Sequence, residues 1–179
     1  MKGRGYTPQK KLNMKLREYK SEDSKIICSW VKDEKTLFQW SADRIGKFPL
    51  LGNELNESYD QANISKDFFP LIAIDENNNV IGHLFIRIPD PEKKEIVRFG
   101  FVIIAPELRG FGNGKKMLEL ALEYAKINLK ATKVTLGVFE NNPKAQKCYE
   151  SVGFIPVSKS KINILKTDWV CIDMELNLV

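Results

Sequence analysis

The stretch FGFVIIAPELRGFGNGKK, residues 99–116, decides how the chain is read. Its apolar first half reads as the end of a strand, and the cluster 109–114 reads as a loop. Beyond the loop, Leu118, Ala121, Leu122, Ala125 and Leu129 recur at helical spacing. A strand, a glycine loop and a helix start in that order suit an anion; without a ligand the same residues make only a tight turn. Glycine lets the backbone approach closely, and the helix start offers free N–H groups and the positive end of its dipole. Two familiar phosphate loops are excluded by spacing. Gly110 and Gly114 are separated by three residues rather than four, and Lys115 is followed by Lys116 rather than Ser or Thr, so this is no Walker A loop. A G-x-G-x-x-G fingerprint started at Gly110 or Gly112 would need glycine at Lys115 or Met117.

Working outward, residues 133–139 read as a strand, and NNPKAQKCYESVGF (141–154) follows. Asn142 before Pro143 is a helix N-cap with proline at the first helical position, and Gly153 suits a left-handed residue after the helix. Asn142, Ala145 and Tyr149 then share one face, the small Ala145 leaving room between two polar groups. Without a ligand the same segment is a capped helix whose tyrosine only packs. Upstream, 71–74 and 80–88 read as strands joined by the turn Asn77-Asn78-Asn79, and 96–104 as a third strand after Pro89-Asp90-Pro91. Ser21 reads as the cap of a helix carrying Ile26, Ile27, Trp30 and Val31, and 33–63 as two short helices broken near Gly46 and Pro49. At the C-terminus, Val170, Ile172, Met174 and Leu176 alternate in the last of two extended segments. The order predicts one α/β (α+β) domain over 14–179, a mixed central sheet flanked by helices, preceded by a basic flexible arm at 1–13.

Two motifs together resemble one family. Arg109-Gly110-Phe111-Gly112-Asn113-Gly114 matches R/Q-x-x-G-x-G/A, the acetyl-CoA loop of the GNAT N-acetyltransferases, and 141–154 resembles that family's N-x-x-A-x-x-x-Y-x-x-x-G-F. The order of strands and helices is similar too. The resemblance implies acetyl-CoA as cosubstrate, its pantetheine along the strand at Val102, Ile103 and Ile104. It implies pyrophosphate on the loop from Arg109 through Gly110, Phe111, Gly112, Asn113 and Gly114 to Lys115, with Asn142 reaching the pantetheine arm. It further implies direct attack of a neutral primary amine on the thioester, an oxyanion held by a strand N–H near Ile104, and Tyr149 as the acid that protonates the leaving thiolate. Cys148 is not needed as an acyl carrier. The family's glutamates are missing: the 98–101 stretch holds no acid, and the position twelve residues before the tyrosine is Gly137. Glu95, Glu140 and His83 are the nearby groups, none placed by a motif, so no base is assigned. A non-catalytic acyl-CoA-binding module of the same fold is the alternative.

Composition bounds the rest. The 179 residues are 43% hydrophobic and 28% charged, ordinary for one globular domain. The net charge of +5 is uneven: residues 1–20 hold seven bases and one acid, the other 159 hold 21 bases and 22 acids. A near-neutral domain with a basic arm lacks the one-faced footprint of a dedicated nucleic-acid binder. No apolar run approaches membrane-spanning length and no secretory h-region opens the chain. Three scattered cysteines and one histidine exclude a disulfide framework or a closed zinc site, which fits a cytoplasmic setting. The expected partners are acetyl-CoA and an amine acceptor, a small molecule or a protein amine, with a homodimer allowed. The amine itself has no motif.

Overall fold

Alternating apolar residues and Asn-rich turns build a seven-stranded mixed sheet within residues 12–178, which the computed structural model describes. In chain order the elements are β1 (Met14–Glu18), α1 (Asp23–Ser29), α2 (Glu34–Ser41), α3 (Asn53–Asn63), β2 (Phe68–Asp75), β3 (Val80–Arg87), β4 (Ile96–Ile104), α4 (Asn113–Asn128), β5 (Lys133–Phe139), α5 (Pro143–Glu150), β6 (Ile155–Ile164) and β7 (Thr167–Asn177). A 3-10 turn, Pro106–Leu108, precedes α4. The strand order is β1-β2-β3-β4-β5-β7-β6. Neighbours run antiparallel except β4 and β5, which are parallel. This is the expected single-domain mixed sheet with helices on both faces.

Local chemistry explains the elements. The β2–β3 turn closes because the Asp75 carboxylate accepts from the N–H groups of Asn77 (2.8 Å) and Asn79 (2.9 Å), while Asn78 takes a left-handed φ of 64°. Met117, Leu118, Ala121 and Ala125 share one side of α4 and are fully buried, seating the helix on one face of the sheet. Helices α1, α2 and α3 cover the other face. There Tyr59, Phe68, Phe85 and Phe101 pack as one aromatic cluster, and the Phe85 ring fills the space where Gly100 has no side chain. The domain extends N-terminally at least to Leu12, whose N–H donates to Asn113 Oδ1 (3.2 Å). The rest of the expected arm, residues 1–11, lies outside the described residues.

One expectation fails at α1. Its N-cap is Glu22, not Ser21, because the carboxylate of Asp23 ties the turn by accepting from Lys20 N–H (2.8 Å) and pairing with Arg17 (2.7 Å). The helix ends at Ser29, so Ile27 is buried while Ile26 stays 43% exposed and off the supposed face. Among the described residues no helix is long and apolar enough to cross a membrane.

Candidate active site

The site is built by two strands that part. β4 and β5 are in register only at Ile96↔Lys133, Val97↔Val134 and Arg98↔Thr135. Beyond these pairs β4 continues against β3 as far as Ile104, and β5 continues against β7 as far as Phe139. Their facing edges therefore open into a gap. The cause is visible in β4. Phe85 pairs with Gly100 and His83 with Ile103, so Leu84 alone stands opposite both Phe101 and Val102. That bulge gives Phe101 a left-handed φ of 51°, a conformation costing about 1–2 kcal/mol for such a residue. Its ring is held by Phe85 (4.8 Å) and Trp40 (5.2 Å). Nothing in the sequence announces this bulge.

Val102 is half-buried and Ile103 and Ile104 are buried, so their side chains pack while their backbone borders the gap. Ala105 N–H bonds to Ile81 O (3.0 Å) on the β3 side. Alternation then turns the Ile104 backbone toward the gap, where its carbonyl accepts from Arg109 Nε (2.9 Å). Arg109 thus fastens the loop to the strand end. Gly110 and Gly112 have φ of 82° and 81°, and a Cβ on either would meet nothing within 4 Å. The loop rim is open. Gly112 caps α4, whose first bond runs from Lys116 N–H to Gly112 O (3.0 Å), leaving the N–H groups of Asn113, Gly114 and Lys115 outside the helical ladder. No acidic residue stands in this first turn, which instead carries Lys115 and Lys116. Positive side chains at the positive end of a helix are unfavourable until an anion arrives. The Asn113 side chain points inward, its Nδ2 donating to Leu108 O (2.9 Å), so only its backbone faces the rim. Phe111 is half-buried beside it.

Helix α5 packs against α4 and β5. Asn142 Oδ1 accepts from Ala145 N–H (3.4 Å), the cap expected from Asn-Pro, and Gly153 has the expected positive φ of 106°. Tyr149 is 7% exposed, its ring edge-on to Phe154 at 6.2 Å, and its hydroxyl makes no hydrogen bond among the described residues. Burial pushes its pKa up, so it stays protonated. Cys148 faces α4: its Sγ lies 3.2 Å from where a Gly114 Cβ would stand, and burial raises its pKa as well. A thiol held protonated there is a poor acyl carrier.

The structure also disposes of one base candidate. His83 is fully buried, its Nδ1 2.8 Å from Leu71 O and its Nε2 2.6 Å from the Tyr59 hydroxyl. A carbonyl only accepts, so Nδ1 carries the proton and Nε2 accepts from Tyr59. Burial holds the His83 pKa down at about 4. Glu140 is paired with Lys159 (2.7 Å) at the surface. At Gly137 the missing side chain is replaced from neighbouring strands: a Cβ there would lie 2.9 Å from Arg98 Nη2 and 3.1 Å from Cys171 Sγ. Arg98 in turn pairs with Asp173 (3.1 Å). Sequence reading missed this pair because only the β5–β7 register brings Asp173 opposite Gly137. Among the described residues no cluster of three or more His, Cys, Asp or Glu could hold a metal.

Comparison with known proteins agrees with this architecture. The Acetyltransferase (GNAT) family matches residues 22–154, and the chain belongs to that family, which makes it an acetyl-CoA-dependent acyltransferase. It is 27% identical over 143 residues to the SPbeta prophage-derived uncharacterized N-acetyltransferase YokL of Bacillus subtilis, covering 80% of this chain and 76% of that one. It is 33% identical over 91 residues to the UPF0039 protein C11D3.02c of Schizosaccharomyces pombe, covering 45% and 59%. Its fold is similar to that of spermidine N-acetyltransferase from Vibrio cholerae in complex with CoA and spermine, with TM-score 0.76, 23% identity, and 92% and 95% of the two chains covered.

Proposed function

We propose that this protein transfers the acetyl group of acetyl-CoA to a primary amine by direct attack within a ternary complex. The observation that carries the reading is the parting of β4 and β5 after Arg98 and Thr135, beside a glycine loop whose rim is open. The unpaired edge of Val102, Ile103 and Ile104 can hold peptide-like pantetheine as an added strand would. The amides of Gly110 to Lys115, with Lys115 itself, supply the charge that a pyrophosphate needs. Phe111 borders that rim, Arg109 holds it in place, and Asn142 retains its Nδ2 for the pantetheine arm.

The amine attacks the thioester carbonyl and forms a tetrahedral intermediate. The backbone N–H of Ile104 is the donor suited to its oxyanion. Collapse breaks the C–S bond, and Tyr149, kept protonated by burial, gives its proton to the thiolate. The amine's own proton leaves to solvent and solvent returns one to the Tyr149 phenolate, so no protein base is required when the amine arrives neutral. Incubating the protein with acetyl-CoA and a panel of primary amines, with thiol release and product mass as readouts, tests the reaction. An N-acetylated product is expected, and acetyl-CoA binding with no amine consumed would instead leave a cofactor-binding module.

A further inference from the structure

The face of the sheet under α2 carries an unbalanced cluster of guanidinium groups at the closed end of the gap. Arg87 and Arg98 are directly opposite one another on β3 and β4. Like charges in that position destabilise a sheet unless something lies between them. Burial lowers the Arg87 pKa, and the like charges of Arg44, which follows α2, and of Arg98 lower it further. Among the described residues the one ion pair these three arginines make is that of Arg98 with Asp173. Arg44 and Arg87 have no ion pair among the described residues, and Arg87 Nε is a buried donor with no acceptor. A second orphan donor, Trp40 Nε1, is buried on the same face, its ring against Phe101. Leaving buried donors unbonded costs about 1–3 kcal/mol each, so a cluster like this calls for an acceptor from outside.

The position of the cluster separates it from the cosubstrate's phosphates. Arg98 lies six residues before Ile104, about 20 Å along the strand from the glycine loop. It lies only three residues, about 10 Å, from the Phe101 bulge where the gap opens. His83, Phe85 and Arg87 alternate onto the face covered by α1–α3, opposite the face that α4 covers.

We infer that the acceptor amine carries an anionic group, a carboxylate or a phosphate, which Arg87 and Arg44 bind while the amine reaches the gap beside Phe101. This rests on the proposed acetyl transfer and names the substrate class for it. A guanidinium pair recognises either oxyanion through paired N–H donors, and it repels polycations. The third arginine, Arg98, is committed to Asp173, so the free donors are those of Arg87 and Arg44.

Calorimetry on CoA-loaded protein, which cannot turn over, measures this directly with matched probes. The twenty amino acids are compared with their α-amides, phosphoethanolamine with ethanolamine, and spermidine serves as the polycation. The expected result is at least one anionic probe binding tenfold or more tightly than its uncharged partner and than spermidine. Arg87→Gln and Arg44→Gln should each remove most of that difference while CoA affinity stays unchanged. The carboxylate and phosphate pairs show which oxyanion is taken. Equal binding within every pair, no binding by any anionic probe, or tighter binding of spermidine would overturn the inference. Failure of the transfer reaction is read separately, as absence of N-acetyl product with acetyl-CoA, and leaves the charge preference in binding measurable.

Discussion

Substitutions at Gly112 and Tyr149 test the proposed binding and the proposed chemistry separately. Gly112 holds a φ of 81° with open space where a side chain would project, so Gly112→Val both strains the backbone and fills the rim. CoA affinity should fall tenfold or more, about 1.4 kcal/mol, in a folded protein, and calorimetry with an unchanged Kd would remove the loop from the site. Tyr149→Phe keeps the ring against Phe154 and deletes only the donor. Single-turnover acetyl transfer should slow by about 10²-fold or more, with CoA affinity within a few-fold. Wild-type single-turnover rates would leave Tyr149 as a packing aromatic. His83 gives a pH signature. Its folded pKa near 4 lies below the ordinary 6.5, so the unfolded chain binds the extra proton between those values. Stability from this group is complete above about pH 6.5 and is lost as pH falls toward 4. Melting temperature should drop across that window, and His83→Gln should flatten the drop while lowering the plateau. An equally steep drop in the variant would assign it to other groups.

At the scale of elements, the bulged strand depends on its aromatic bed. A Cβ at Gly100 would collide with the Phe85 ring, which touches Phe101 and Phe68. Gly100→Ala should therefore destabilise the fold by about 1–3 kcal/mol, read by urea unfolding. A neutral effect would mean that Phe85 can swing away without disturbing the bulge. Elements whose chemistry is local were legible in the sequence. β5 is read to the residue, and α5 announces itself through Asn142-Pro143 and Gly153. Others were not. β6 is exposed almost throughout, so it carries no alternation to read. α1 begins where a tertiary pair, Arg17 with Asp23, ties the turn, and no propensity of Ser21 signals that. The left-handed Phe101 follows from a register shift against β3, a long-range fact. So do the Arg87–Arg98 opposition and the filling of the Gly137 position by Arg98.

For the molecule as a whole, the proposed pyrophosphate loop is written in consecutive residues and the proposed acceptor face is not. Loop and helix start lie together at 109–115, whereas the face proposed for the acceptor draws on α2, β3, β4 and β7. Charge is uneven along the chain, with seven of the 28 bases in the first twenty residues. Removing residues 1–11, which are polar and basic, should leave the melting temperature and CoA affinity unchanged. Removing 1–13 would also delete the Leu12 bond to Asn113 and the Asn13 bond to Glu76, and should lower the melting temperature. A loss of several degrees on the shorter deletion would show that the arm packs on the domain. The central claim is direct transfer from acetyl-CoA to an amine, with no acetyl-enzyme. Initial rates over a grid of acetyl-CoA and amine concentrations test it most directly. Intersecting double-reciprocal lines are predicted, with no acetyl adduct on the protein mixed with acetyl-CoA alone. Parallel lines, together with an acetyl group found on Cys148, would contradict it.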